Sequence, residues 1–172
     1  MAGGAEGSVI VGSPDAPAVT IASADLATME QLRSLWADFY GEQKSMGLLA
    51  PIPADGFDRW VQSFAGTLGR FSVVFIARGQ DGAVGFVAGR LRQQPPHYGG
   101  GMAGLVSDLY VQPALQGQGL GRQLLDTCID WFTRQRVGRL ELQVVAGNRN
   151  AAEFYAHVGW KVEFLQLVKE IE

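Results

Sequence analysis

Between an apolar run at 105–111 and the helically spaced residues that begin at Leu120, the chain reads "QPALQGQGLGR", three glycines alternating with larger residues. Few features restrict a fold more. Glycine at a junction allows backbone angles that other residues avoid, and it lets a ligand or a second backbone come close. On one side, "LVSDLYV" has the apolar and β-branched content of a strand. On the other, Leu120, Leu124, Cys128 and Trp131 form a stripe with Leu125, Ile129 and Phe132 beside it, wide enough that the helix must face a sheet. Three ligands explain such a strand–glycine–helix junction. The dinucleotide fingerprint needs G-x-G-x-x-G, but Gly117, Gly119 and Gly121 give G-x-G-x-G, with Arg122 where the last glycine belongs. A Walker loop needs a lysine and a hydroxyl that do not follow. The third is a pyrophosphate bound by the free amides and positive dipole end of a helix, with Arg122 as an added cation. A turn without a ligand has the same composition.

The rest of the chain supplies the frame. Residues 1–17, rich in Gly and Ala with Pro14 and Pro17, read as a flexible tail ahead of one domain over 18–172. A strand at 18–21 is followed by a helix capped at Ser23 and patterned by Leu26, Met29, Leu32, Trp36, Phe39 and Tyr40. A broken loop at 41–53 leads to a second helix at 57–68. Strands at 71–77 and 83–91 flank the Asp81-Gly82 turn signal. The stretch 92–104, with Pro95, Pro96 and three consecutive glycines, reads as an exposed loop. After the glycine run and its helix, which should stop near Gly138, come a strand at 140–146, a short helix ending at Gly159 and closing strands within 161–171. Strands and helices in the order β-α-α-β-β-β-α-β-α-β-β describe a single mixed α/β domain.

Composition narrows the function. With 47% apolar residues in 172, one domain with a real core is expected. A net charge of -3 lacks the basic excess of a nucleic-acid binder. The single Cys128 excludes an internal disulfide, and with two histidines it makes a poor zinc ligand set, so no metal is expected. No signal-like or membrane-spanning segment is evident, which makes a soluble cytoplasmic protein the expectation.

At this point two stretches resemble one family. "QGQGLG" at 116–121 is similar to the Q/R-x-x-G-x-G/A motif by which the GNAT superfamily of N-acetyltransferases holds the acetyl-CoA pyrophosphate, and "VVAGNRNAAEFYAHVGW" resembles its second signature. The resemblance covers 18 to 171. It implies a central, mostly antiparallel twisted sheet, splayed between its fourth and fifth strands (105–111 and 140–146) and flanked by about four helices. It further implies acetyl-CoA as co-substrate, bound by Gln116, Gly117, Gln118, Gly119, Leu120, Gly121 and Arg122, with the pantetheine along the strand edge at Leu109, Tyr110 and Val111. An amide of that edge would also serve the oxyanion. Direct transfer of the acetyl group to a primary amine of a small molecule or peptide follows, with no nucleic acid or membrane partner and with a homodimer possible. The alternative is a silent acyl-CoA-binding module of the same fold.

Individual residues take roles from that resemblance. Tyr155 stands where the family places a tyrosine on the CoA sulfur, and a phenol that stays protonated at neutral pH suits a general acid for the thiolate. Read from the residue alone, it is an aromatic packed on the sheet, as Phe154 is. Asn148 precedes the short helix, either contacting cofactor or capping the helix. Asp108 interrupts an apolar strand, so it needs a partner or a task. Polyamine acetyltransferases of the superfamily carry an acidic pair here, whereas this chain has Ser107-Asp108. Asp108 is thus either an amine anchor or water-linked base, or a structural hydrogen-bond group. Cys128 reads as core, His97 and His157 as surface residues, and Glu42, Asp55 and Asp58 as acidic groups bordering the acceptor side.

Overall fold

The structure, a computed structural model, describes residues 9–11 and 19–171. Six strands, β1 (Val9–Val11), β2 (Val19–Ser23), β3 (Ser72–Gly79), β4 (Gly82–Gln93), β5 (Met102–Val111) and β6 (Leu140–Leu142), line up in chain order in one sheet. All neighbours are antiparallel except β5 and β6. Four helices cover it: α1 (Arg33–Ser45), preceded by a 3-10 turn at Thr28–Leu32, α2 (Gly56–Gln62), α3 (Leu120–Arg134) and α4 (Arg149–His157). The mixed α/β class and the splayed sheet are as expected.

Each face of the sheet has its own core. On one, α3 buries Leu120, Leu124, Leu125, Cys128, Trp131 and Phe132 against Val73, Val87, Val106 and Val111. At about 1.5–3 kcal/mol per fully buried large apolar side chain, that stripe alone holds the helix in place. On the other, Met29, Leu32, Leu35 and Trp36 join Phe57 and Phe64 over Val74, Ile76 and Phe86.

Several boundaries depart from expectation. The loop at 92–104 is shorter, because β4 runs to Gln93 and β5 starts at Met102. Gly104 is a strand residue: a Cβ there would stand 2.6 Å from the Phe132 ring and 2.7 Å from Leu140, so α3 rests on bare backbone. We expect Gly104→Ala to lower stability by about 1–3 kcal/mol through overpacking, read as a shift in the denaturation midpoint with an unchanged slope. The second helix stops at Gln62 rather than 68, and turns carry the chain on. The strand expected over 140–146 ends at Leu142, and no strand forms within 161–171. Val9–Val11 pairs with β2, although the sequence places it in a tail; residues 1–8 and 12–17 of that expected tail, and Ala18 of the expected first strand, lie outside the described residues.

Two irregularities of β5 position the site. β6 accompanies it only from Gly104 to Val106 and then departs, which opens a gap along its outer half. At the same place the pairing with β4 jumps from Ala88↔Asp108 to Gly89↔Val106, leaving Ser107 as an extra residue, a β-bulge. Side chains alternate along a strand, so one extra residue exchanges the faces beyond it. Gly104 and Val106 meet the α3 layer, whereas Asp108 and Tyr110 turn to the α1–α2 layer.

Candidate active site

The glycine run is a wide turn leading into α3. Gly117 and Gly119 have φ of 73° and 85°, left-handed values that glycine adopts at little cost. A Cβ on either would meet no atom beyond its chain neighbours within 4 Å, so the glycines leave open space. Gly119 is the N-cap and offers no side chain to the helix end. The first bond of the helix runs from the Gln123 amide to the Gly119 carbonyl, which leaves the amides of Leu120, Gly121 and Arg122 directed outward. The two glutamines brace the loop: Gln116 Nε2 donates to the Val111 carbonyl at 2.8 Å, and Gln118 Nε2 to the Ala114 carbonyl at 3.0 Å. Arg122 sits on the exposed first turn, paired with Asp126 at 3.3 Å.

The strand edge adjoins this loop. The Gln112 amide donates to the Val84 carbonyl, which sets the phase of the ladder: Tyr110 exchanges its backbone bonds with Phe86. Leu109 and Val111 therefore aim their backbone groups at the other edge, where β6 has left. Of the three residues expected on that edge, Leu109 and Val111 face the gap. Tyr110 does not. Its ring is buried and its hydroxyl donates to Glu42 Oε1 at 3.0 Å.

Beside the gap lies a narrow cleft of about 60 Å³, the space of roughly two liquid waters, bounded by Phe39 and Gln43 of α1, by Ser107, Asp108 and Leu109, and by Asn148 and Tyr155. Its roof depends on Gly147, whose Cβ would stand 2.2 Å from the Met46 carbonyl oxygen, so the turn before α4 can lie on the end of α1. Asp108, 3% exposed, forms its floor. Tyr40 donates to Oδ1 at 2.8 Å, and Ser107 Oγ and Trp60 Nε1 donate to Oδ2 at 2.6 and 3.3 Å. Arg90, on β4, interacts electrostatically with the same carboxylate. The carboxylate has about four acceptor positions, so these three donors leave one open. Burial, then the charge and hydrogen bond of Asp108, push the Tyr40 phenol far above its ordinary value, which keeps it a donor.

Tyr155 reaches the cleft from α4 with Phe154 and Trp160 packed around its ring. Burial raises its phenol well above the usual range, with smaller upward pushes from Cys128 and Asp108, so it is protonated throughout the neutral range. Asn148 caps α4, its Oδ1 accepting from the Ala151 amide at 3.0 Å, and it also lines the cleft.

The acetyltransferase (GNAT) family profile matches residues 29–160, spanning the strand edge, the glycine loop and α4. The chain belongs to the acetyltransferase (GNAT) family. Solved structures of this fold agree. An aminoglycoside N-acetyltransferase, AAC(6')-Iy, in complex with CoA superposes with a TM-score of 0.72 at 15% identity over 93% of this chain and 98% of that one. A predicted acetyltransferase from Clostridium acetobutylicum with acetyl-CoA gives 0.71 at 19% identity over 87% and 96%. A ribosomal-protein-alanine N-acetyltransferase from Brucella melitensis biovar Abortus 2308 gives 0.65 at 20% over 88% and 99%. No curated protein matches the chain in sequence.

Within this GNAT domain the remaining candidates separate. Burial drives the Cys128 thiol up to about 12, and its sulfur lies in the α3 core. His97 stacks on Tyr98 in the exposed loop after β4, and His157 ends α4; neither borders the cleft. Asp55 and Asp58 are held by Arg59 and Arg33, and Glu42 by Tyr110. Among the described residues no cluster of His, Cys, Asp or Glu could hold a metal ion, and no helix is long and apolar enough to cross a membrane. The sequence reading missed Tyr40, Trp60, Phe39 and Gln43. A signal existed for the first two: Tyr and Trp on a buried stripe need partners for O–H and N–H, and Asp108 was the unassigned buried acceptor.

Proposed function

We propose that the protein is an acetyl-CoA-dependent N-acetyltransferase that transfers the acetyl group directly to a primary amine of a small molecule or peptide. The observation that carries this reading is the alignment of three features: outward amides at 120–122, the edge at Leu109 and Val111 that β6 does not accompany, and a cleft with a buried carboxylate and a protonated phenol. The space over Gly117 and Gly119, which any Cβ would fill, fits a pyrophosphate approaching backbone closely. Acetyl-CoA supplies a thioester carbonyl and a thiolate leaving group.

The chain's own groups supply the rest. The amides of Leu120, Gly121 and Arg122 bind phosphate oxygens, while Gln116 fixes the loop to the strand end. Leu109 and Val111 offer amides to an extended ligand along the gap, and either is a preorganised donor for oxyanion charge. Asp108 stays at the floor of the cleft, where its free acceptor position orients an ammonium or, through water, takes up its proton. Tyr155 holds the proton that a departing thiolate needs. Asn148, its Oδ1 committed to the helix cap, has its side-chain N–H groups for the cofactor. A binding module that only senses acyl-CoA would need neither Tyr155 nor Asp108 in the cleft.

The test is thiol release from acetyl-CoA with a panel of primary amines, run on the parent and on Asp108→Asn. The parent is expected to turn over at least one cationic amine, and the variant to raise its KM or lower kcat with acetyl-CoA affinity unchanged. The variant also loses about 1–3 kcal/mol of stability, because its amide N–H group takes the place of one carboxylate oxygen and faces that oxygen's donors, Tyr40 on one side or Ser107 and Trp60 on the other. Lower stability with normal kinetics at low temperature assigns Asp108 to the scaffold. CoA binding with no turnover of any amine selects the sensor.

A further inference from the structure

Ser107 and Asp108 adjoin in the sequence, yet the bulge sends them to different surroundings. Asp108 turns to the α1–α2 layer and is buried, whereas Ser107, the extra residue, is exposed and borders the cleft. Ser107 is also the first residue of β5 beyond the stretch that β6 accompanies, so it stands at the mouth of the gap. Its Oγ donates to Asp108 Oδ2 at 2.6 Å, the length of a charge-assisted O–H···O⁻ bond, with the Ala88 carbonyl a more distant acceptor at 3.4 Å. A hydroxyl has one proton to give and two lone pairs to offer. The proton of Ser107 is committed, and among the described residues no group donates to its oxygen. The other two donors to the carboxylate differ. Neither Tyr40 nor Trp60 borders the cleft, and an indole N–H has no lone pair with which to pass a proton on.

Oδ2 accepts from both Ser107 and Trp60, which engages both of its lone pairs, so what this oxygen presents to the cleft is the Ser107 hydroxyl already bonded to it. We propose that Ser107 is a catalytic proton relay, accepting a proton from the acceptor amine at Oγ while passing its own to Asp108 Oδ2. This rests on the acetyl-transfer reading and specifies the path by which the proton reaches the buried base. The step balances. An N–H bond of the amine breaks as a new Oγ–H bond forms, and the old Oγ–H bond breaks as Oδ2–H forms. The nitrogen loses one positive charge, Asp108 loses its negative charge, and Ser107 ends as it began, a neutral hydroxyl. With Oδ2 protonated, Oγ accepts from Asp108 and turns its new hydrogen to the Ala88 carbonyl. Return along the same path resets the carboxylate. A hydroxyl fixed by the strand needs no ordering at the moment of transfer, which is the advantage of a built relay over a passing solvent molecule.

The test compares Ser107→Ala, Ser107→Asn and Ser107→Thr in the full chain. Single-turnover acetyl transfer is measured on an alkyl diamine, an amino sugar and a peptide with a free amino terminus, and acetyl-CoA affinity by calorimetry. Alanine removes the hydroxyl. Asparagine keeps an N–H donor for Asp108 but cannot take up one proton while releasing another, and threonine keeps the hydroxyl. Because position 107 is exposed, circular dichroism and acetyl-CoA affinity are expected to stay those of the parent. The transfer rate is expected to fall about 100-fold in Ser107→Ala and Ser107→Asn, the low end for a positioned proton transfer because water can enter the vacated space, and to recover in Ser107→Thr to within about tenfold of the parent. A Ser107→Ala rate within about threefold of the parent overturns the relay and leaves N-acetyl transfer standing. Recovery in Ser107→Asn also overturns it, since a donor that merely holds the carboxylate is then enough. So does a Ser107→Thr rate as low as that of Ser107→Ala. A parent that acetylates none of the three amines overturns the relay together with the reading on which it rests.

Discussion

Replacing Tyr155 by Phe is expected to lower kcat for acetyl transfer by about 10- to 1,000-fold, the range for losing a general acid, while the affinity for acetyl-CoA should change little. One hydroxyl is removed and the ring stays packed between Phe154 and Trp160, so the fold is not the variable. The two effects separate because the hydroxyl matters once negative charge builds on sulfur, whereas a ground-state thioester is a weak acceptor. A thioester with a better leaving group rescues the variant. The pH profile gives an independent reading. A phenol raised by burial and by the nearby carboxylate keeps its proton below its ordinary value of about 10, so no loss of activity between pH 6 and roughly 9 can come from Tyr155. An unaltered kcat in Tyr155→Phe, with chemistry shown to limit the rate, removes the assignment and leaves solvent as the proton source.

Gly119→Val is expected to abolish measurable acetyl-CoA binding, a loss of at least about 100-fold or roughly 2.7 kcal/mol. Two causes combine. At φ 85° a β-branched residue is a conformational outlier, and relaxing it moves the first turn of α3. Its side chain would also occupy the open space over the amides. Beyond its chain neighbours no protein atom stands within 4 Å of the new Cβ, so the folded chain loses little beyond the backbone strain of about 1–2 kcal/mol. Calorimetry therefore separates ligand from fold: equal affinity in Gly119→Val and the parent excludes this loop as the cradle.

The glycine loop and α3 were legible because their signals are local. A wide stripe at helical spacing fixes the buried face of α3, and alternating glycines before it demand left-handed backbone, which Gly117 and Gly119 adopt. The orientation of Asp108 was not legible. It depends on one extra residue at Ser107, and a bulge in a strand leaves no mark in composition. Gly104 was misassigned for a related reason: next to Gly99, Gly100 and Gly101 it reads as loop, and only the Phe132 ring pressed on it reveals a strand glycine chosen for close approach. The short β6 and the absence of strands in 161–171 follow from pairing. β-propensity says which residues suit a ladder but not whether the fold brings a partner to them.

The bulge at Ser107 makes the sheet a partition between two tracts of the protein that can change separately. Gly104 and Val106 before it face the layer of α3, whereas Asp108 and Tyr110 after it face the layer of Tyr40 and Trp60 and leave Leu109 and Val111 to the α3 side. A substitution in α1 or α2 thus reaches the floor of the cleft without disturbing the contacts under α3. Groups more than about 7–10 Å apart with no shared partner act nearly additively. On the function proposed above, descendants of such a chain can therefore acquire a new acceptor preference by drift in the first helical layer while the half proposed to hold the cofactor is inherited intact.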